Sequence, residues 1–447
     1  MFRKVFGPKS SDEFYPVNNS LDNMCPEELK NSQKLMDEKI KWPQMMLACT
    51  GLLYTCERRP IWRAVRIFVC LSLTLLDCYQ FGACLKILLR SAKFNMKSAR
   101  GLIIFNWMLQ ALISMGFIFY WQIRGYLQRL REVIHFSKGC PRTVSVIKRT
   151  VIFYVGMLSV IVFSCLISVW RKFAGDIEAD QLVDESIFEI YGNKKMAWLV
   201  FVVYTWAFFV LVAVLTFFVC VVTALHHELA AFNSTKLSTI GKLSAEGDDM
   251  EAIANQLQEH YVTHVELVNR VRNIDKMFEV YIFVIIGTNV PSSIVCVLFF
   301  LLSFQSSSWF GLFLSIPDLA FCLLELMALV STPAKVYARI REVENIVYGN
   351  MRIWTPFSDK VYCVASVFVS HANQANLGIT LWGFAVITKP LILTMISLTV
   401  TYLTFVIQFH DDKEKKMNNG TNFGLRHYLL RHCMLAIVGP LRGLSWY

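Results

Sequence analysis

At 447 residues the chain is 55% hydrophobic and only 17% charged, with a mean hydropathy of +0.46, well short of the roughly 25% charge of soluble domains. That composition excludes a soluble enzyme or a soluble binding module and defines an all-α membrane protein. The net charge of +11 reads as the Lys/Arg excess of cytoplasmic loops and the membrane face rather than a nucleic-acid surface, because no basic-aromatic module accompanies it.

Residues 1–60 are polar and charged, and the expectation is a cytosolic N-terminal segment with no cleaved signal peptide. Apolar runs near the length that crosses a bilayer, about 20 helical residues, then predict seven transmembrane helices at 62–86, 102–124, 150–170, 197–224, 277–303, 309–331 and 388–409. Trp121, Trp170, Trp198 and Trp309 stand at span ends, where amphipathic rings favour the interface.

Orientation follows from the short loops. Residues 124–149 hold seven Lys/Arg against one Glu, whereas 171–196 hold four Lys/Arg against six Asp/Glu. The first loop is read as cytosolic and the second as extracellular, so the N-terminus lies inside and, after seven spans, the C-terminus outside. A G-protein-coupled receptor would run the other way. The Asn419-Gly420-Thr421 sequon falls on the extracellular side and is a glycosylation candidate; those at Asn18 and Asn233 fall in the cytosol.

Thirteen Cys are present without a CxxC pair. Cys70, Cys78, Cys84, Cys165, Cys220, Cys296 and Cys322 lie inside apolar runs, where small buried hydrophobes are the expected role. Two cytosolic stretches are long. Residues 225–276 carry a helical pattern through Leu257, Tyr261, His264, Leu267 and Val271, so spans four and five are expected to project beyond the membrane as helices. Residues 332–378 read as helix and turn, broken at Pro333 and Pro356.

Ionisable groups inside apolar spans need partners and are candidate functional residues. Asp77 lies in span one, and Asp318 and Glu325, seven apart on one face, lie in span six; buried structural hydrogen bonding is the alternative role for each. Pro317 precedes Asp318, and Asn289 and Pro291 mark a second weak point in span five. Tyr79, Asn106, Trp107 and Gln110 belong to the outer halves of spans one and two, as packing or as part of a sensing pocket. His260 and His264 are i, i+4 but lack an acidic HExxH context, so no metal is expected. Nucleophile-elbow and phosphate-loop strings are absent, which argues against an enzyme. Neither a chromophore lysine nor a haem-ligand motif is evident, and the cofactor is unknown.

In the last span, Thr394, Ser397, Thr401, Thr404 and Gln408 fall within an arc of roughly 80° at ~100° per residue. Such a stripe either glues helices by hydroxyl hydrogen bonds or lines a water-filled path without fixed charge.

"GITLWGFAVITKPLILTMISLTVTYLTFVIQF", residues 378–409, resembles the C-terminal signature of the insect gustatory receptor superfamily: a Gly-rich re-entry, a final helix, then Thr-Tyr, five mostly apolar residues and Gln-Phe. Looser likeness extends to "WPQMMLACTGLLY" (42–54), the long loop after span four and the seven-span pattern. The whole length is most similar to the nematode branch, which includes sensors of short-wavelength light and hydrogen peroxide. Thr404, at an apolar motif position, and the 38-residue tail after Phe409 depart from the pattern.

The resemblance implies a homotetrameric, stimulus-gated cation channel of the plasma membrane. Residues 1–60 would be cytosolic, 61–331 the first six spans with their extensions, 332–378 a cytosolic anchor, 379–409 the pore-lining helix and 410–447 an extracellular tail. Its partners would be the lipid bilayer, permeant cations and a light or small-molecule stimulus. The helices 255–276 and 361–376 would hold subunits together. A taste-type channel gated by a sugar or bitter compound, and a metabotropic seven-span receptor, are the alternatives.

Overall fold

The structure, a computed structural model, describes residues 42–53, 60–90, 96–127, 130, 141–176, 190–191, 197–240, 250–306, 308–401 and 404. Six helices among them are long and apolar enough to cross a membrane, and they coincide with the first six expected spans: α1 (Pro60–Arg90), α2 (Met96–Ile123), α3 (Pro141–Phe173), α4 (Ala197–Ala231), α5 (Met250–Gln305) and α6 (Trp309–Gly349). Tyr402, Gln408 and Asn419 lie outside the described residues, as do positions 1–41 and 405–447.

The apolar sequence of α4 explains its place. A helix that is hydrophobic all round has no face to offer water and is buried, and every residue from Val210 to Val222 is buried here. Helices α1, α2, α3 and α6 all pack against α4, while α5 runs between α2 and α6. Helix α1, packed mainly on α2 and α4, leaves Phe68, Leu71 and Leu75 exposed. In a membrane protein such side chains face lipid, which is no less apolar than a core.

Both α5 and α6 outrun the bilayer. At 1.5 Å per residue, 56 and 41 residues far exceed the hydrocarbon thickness of about 30 Å. The expected break at Pro333 does not occur: α6 continues through it to Gly349, with Ala334, Val336, Ile340, Val343 and Val347 buried beyond it. One lost backbone hydrogen bond at a proline is offset by that apolar packing. The chain after α4 widens into a π turn (Phe232–Lys236) and then tightens into a 3-10 turn (Leu237–Thr239). Asn233, in the π turn, is buried, and its amide donates to Arg339 O and Glu342 Oε2, both at 2.9 Å.

Helix α7 (Asp359–Ala372) lays Val361, Ala365 and Phe368 against the extensions of α5 and α6. A hairpin of β1 (Thr380–Leu381) and β2 (Ala385–Val386), with Thr380 opposite Val386, follows. Asp275 on α5 pins it, accepting from the Thr380 N–H at 2.6 Å and from Thr380 Oγ1 at 3.1 Å. Gly378 (φ 154°) is needed here, because a Cβ would sit 2.6 Å from a Val386 methyl. Helix α8 (Lys389–Thr401) follows; from its second residue, Pro390, onward the chain forms a second compact unit, described at 390–401 and 404.

Candidate functional site

The end of the bundle remote from the α5 and α6 extensions collects most of the ionisable and amide groups singled out in the spans. Asp318, on α6, is 1% exposed and is bridged at 3.0 Å by Nη1 of Arg100 on α2. The Arg100 guanidinium also lies 5.6 Å above the Phe299 ring of α5. Sequence reading overlooked Arg100 because it precedes the apolar run of span two. The available signal was Asp318 itself, a carboxylate in an apolar helix that required a cation from a helix end.

Glu325, two turns further along α6, is met differently. The Asn289 amide of α5 donates to its Oε2 at 2.5 Å, and Ser293 Oγ donates to Asn289 Oδ1 at 3.1 Å. The two weak points expected in spans five and six are thus one hydrogen-bonded unit. Glu325 Oε1 and both Gln110 side-chain polar atoms are buried without a hydrogen-bond partner among the described residues. Gln110 and Ser114 share a face of α2 one turn apart.

Trp107 is enclosed, its ring 5.0 Å from Phe208 of α4 and 5.7 Å from Phe321 of α6, with 4.9 Å between those two phenylalanines. The trio fills the space among α2, α4 and α6, one turn from Asp318 along α6 and two turns from Arg100 along α2. Burying three rings in mutual contact excludes water.

Helix α1 divides its candidates. Asp77 is fully buried with neither oxygen partnered among the described residues, whereas Tyr79, two residues on, is 56% exposed. Tyr79 stacks on Tyr191 at 5.7 Å and donates to Ile190 O at 3.3 Å. Tyr79 therefore faces away from the Trp107 trio, and Asn106 is half-buried. Gln80, with no role assigned from sequence, ties α1 to α4 by donating to Val200 O at 3.1 Å and accepts from the Tyr191 hydroxyl at 3.2 Å.

Trp121 was expected at the membrane interface with Trp170, Trp198 and Trp309. Those three are exposed, but Trp121 is fully buried, its indole N–H donating to Met277 O at 3.0 Å. Phe217, Phe278 and Tyr281 surround it, and that aromatic enclosure, rather than lipid headgroups, satisfies the ring.

On α8, Thr394, Ser397 and Thr401 are exposed. Thr394 Oγ1 donates to Pro390 O at 3.1 Å, Thr401 Oγ1 to Ser397 O at 2.9 Å and Thr404 Oγ1 to Val400 O at 2.8 Å. Each threonine hydroxyl spends its proton on its own helix and still presents oxygen lone pairs outward. A surface of this kind offers acceptors to a cation without charge of its own.

Of the seven intraspan cysteines, all but Cys78 are buried, and all are free thiols. Cys296 on α5 and Cys322 on α6 stand 3.5 Å apart, sulfur to sulfur. No cluster of three or more His, Cys, Asp or Glu with metal-holding geometry occurs among the described residues.

The solved structure of the insect olfactory receptor OR5 from Machilis hrabei superposes with a TM-score of 0.61, at 14% identity, over 83% of this chain and 100% of that one. The same receptor in complex with eugenol gives 0.62 and 15% over the same shares. At that identity the likeness speaks for the fold. Among curated proteins no match is found. The family described as 7tm chemosensory receptor matches residues 133–413, well over half of the sequence, and the chain is a multi-pass membrane protein belonging to that family.

Proposed function

We propose that the protein is a stimulus-gated cation channel of four identical subunits in the plasma membrane, N-terminus inside and C-terminus outside, with α8 and its continuation to 409 as the seventh span. The hydroxyl stripe of α8 carries this reading. Thr394, Ser397 and Thr401 are exposed on one arc, and side chains turned that way in lipid would serve nothing, whereas around a symmetry axis they line a path for partly hydrated cations. The eugenol complex of the Machilis hrabei receptor supports a chemosensory stimulus in general terms.

For the stimulus we infer short-wavelength light, hydrogen peroxide or both. Supporting this are the resemblance to the nematode branch and the interior around Trp107, which is ring-filled and suits an absorbing or oxidisable group better than a bulky ligand. A second reading, gating by a small hydrogen-bonding compound such as a sugar, is favoured by the unpartnered Asp77 and Gln110. Patch-clamp recording from cells expressing this chain alone separates them. The inference expects cation current on ultraviolet or blue illumination or on peroxide. Current to a sugar or bitter compound only would replace the stimulus, and its absence under every stimulus despite surface expression would remove the channel reading.

A further inference from the structure

The Arg100–Asp318 pair does not stand alone. Cys322 follows Asp318 by one turn on α6, and Cys296 precedes Phe299, the ring under Arg100, by one turn on α5. The thiols are fully buried and 3.5 Å apart. Asp318 spends Oδ2 on Arg100, while its Oδ1, buried, has no partner among the described residues. An unspent carboxylate oxygen, a buried guanidinium and two touching thiols are the groups that dithiol oxidation requires: a base, a stabiliser for a leaving oxyanion, a nucleophile and a resolving thiol.

We propose that Cys296 and Cys322 are a peroxide-reactive dithiol, with Asp318 as proton carrier and Arg100 as the positioning charge; this rests on the reading of peroxide as a stimulus. Cys296 passes its proton to Asp318 Oδ1, and the thiolate attacks one oxygen of hydrogen peroxide. A sulfur–oxygen bond forms as the oxygen–oxygen bond breaks. The departing hydroxide, beside Arg100, takes the proton back from Asp318 and leaves as water. Cys322 sulfur then attacks the sulfenic sulfur, and the hydroxyl departs as a second water with the Cys322 proton. Two thiols and one peroxide become one disulfide and two waters; sulfur loses the two electrons that peroxide gains. Burial selects the oxidant: glutathione and protein thiols are excluded by size, which leaves only a small uncharged oxidant as a candidate.

The product has a mechanical consequence. A disulfide of about 2.05 Å in place of the 3.5 Å contact shortens the sulfur separation by over an ångström, and the part that side-chain rotation does not absorb draws α5 toward α6. Both helices run unbroken into the extensions that carry α7, and α5 also carries the Asp275-pinned hairpin. Small displacements of packed rods are transmitted along their length.

The test uses the full chain in membranes. After hydrogen peroxide treatment and thiol capping, mass spectrometry is expected to find a peptide cross-linking 296 to 322 that dithiothreitol releases. Cys296→Ala and Cys322→Ala should each abolish it, and Cys220→Ala, at another buried free thiol, should not. Asp318→Asn should slow cross-linking about a hundredfold and flatten its dependence on pH. Both thiols remaining fully cappable after peroxide would overturn the proposal. So would peroxide-evoked current of wild-type size in Cys296→Ala at normal surface expression, though the stimulus reading would then stand. A cross-link formed in a wild-type channel that passes no current to peroxide would uphold the dithiol and remove peroxide as the stimulus.

Discussion

Asn289 on α5 donates a 2.5 Å hydrogen bond to Glu325 on α6 in the dry interior, and Ser293 fixes the Asn289 amide from one turn away at 3.1 Å. One carboxylate oxygen is satisfied and the other is not, so the group is held but not saturated. Removing its donor is expected to cost more than removing the pair. Asn289→Ala should destabilise by about 1–3 kcal/mol, the range for stranding a buried polar group, while Asn289→Leu combined with Glu325→Leu should come close to neutral. Thermal unfolding of the detergent-solubilised protein checks this, and equal losses in both variants would refute it.

The Arg100–Asp318 bridge at 3.0 Å follows the same asymmetry more strongly. Arg100→Met leaves an uncompensated buried carboxylate and should cost about 3–5 kcal/mol, and Asp318→Asn alongside it should recover most of the loss. Additive losses in the double-mutant cycle would show that the two side chains do not act as a pair.

Trp107 fills space that its neighbours cannot close. Trp107→Ala should lower stability by about 3–5 kcal/mol, whereas Trp107→Phe retains most of the packing. If the ring also senses the stimulus, Trp107→Phe expressed at normal surface level should still reduce the light- or peroxide-evoked current; an unchanged dose-response curve would assign the ring to packing alone.

The cytosolic junction of α5 and α7 should be acid-sensitive. His264, outside the apolar run of span five, is buried with both ring nitrogens unpartnered. Its ring lies 5.7 Å from His371 and 5.2 Å from Phe368 of α7. Burial, and then the charge of His371, push His264 down from 6.5 to about 3. His371 is lowered by burial and by Arg272. Because the folded state resists protonation, an opened state binds the proton first. The stabilisation is complete above pH 6.5 and is lost as pH falls from there toward 3. Thermal stability should therefore drop between pH 7.5 and 5.5, and His264→Phe should flatten the drop.

Phe368 and Val361 fasten α7 to the extensions. If helices 255–276 and 361–376 hold the subunits together, deleting 361–376 should yield monomers by size-exclusion chromatography with light scattering. A tetramer that survives would place the assembly contacts elsewhere. For the path itself, Ser397→Lys should lower cation conductance or selectivity at unchanged surface expression, by placing a fixed charge on the stripe.

The six long apolar helices, the helical reach of span five beyond the membrane and the one-sided placing of the hydroxyls at 394, 397 and 401 were legible in the sequence, because each follows from a local run or a local helical spacing. The passage of α6 through Pro333 was not, since it depends on the apolar neighbours that α6 meets further along rather than on the proline. Trp121 shows the same limit: its position at a span end suggested the interface, yet its ring turns inward to Met277 O. Asp77, Asp318 and Glu325 stood out as costly groups, but only the tertiary structure joined Asp318 to Arg100, Glu325 to Asn289 and Cys296 to Cys322, and left Asp77 with no partner among the described residues. The reason is physical. In water, polarity marks which side of a helix faces out; in lipid, the outside is as apolar as the core, so the sequence tells where each helix lies and only packing decides which way it turns.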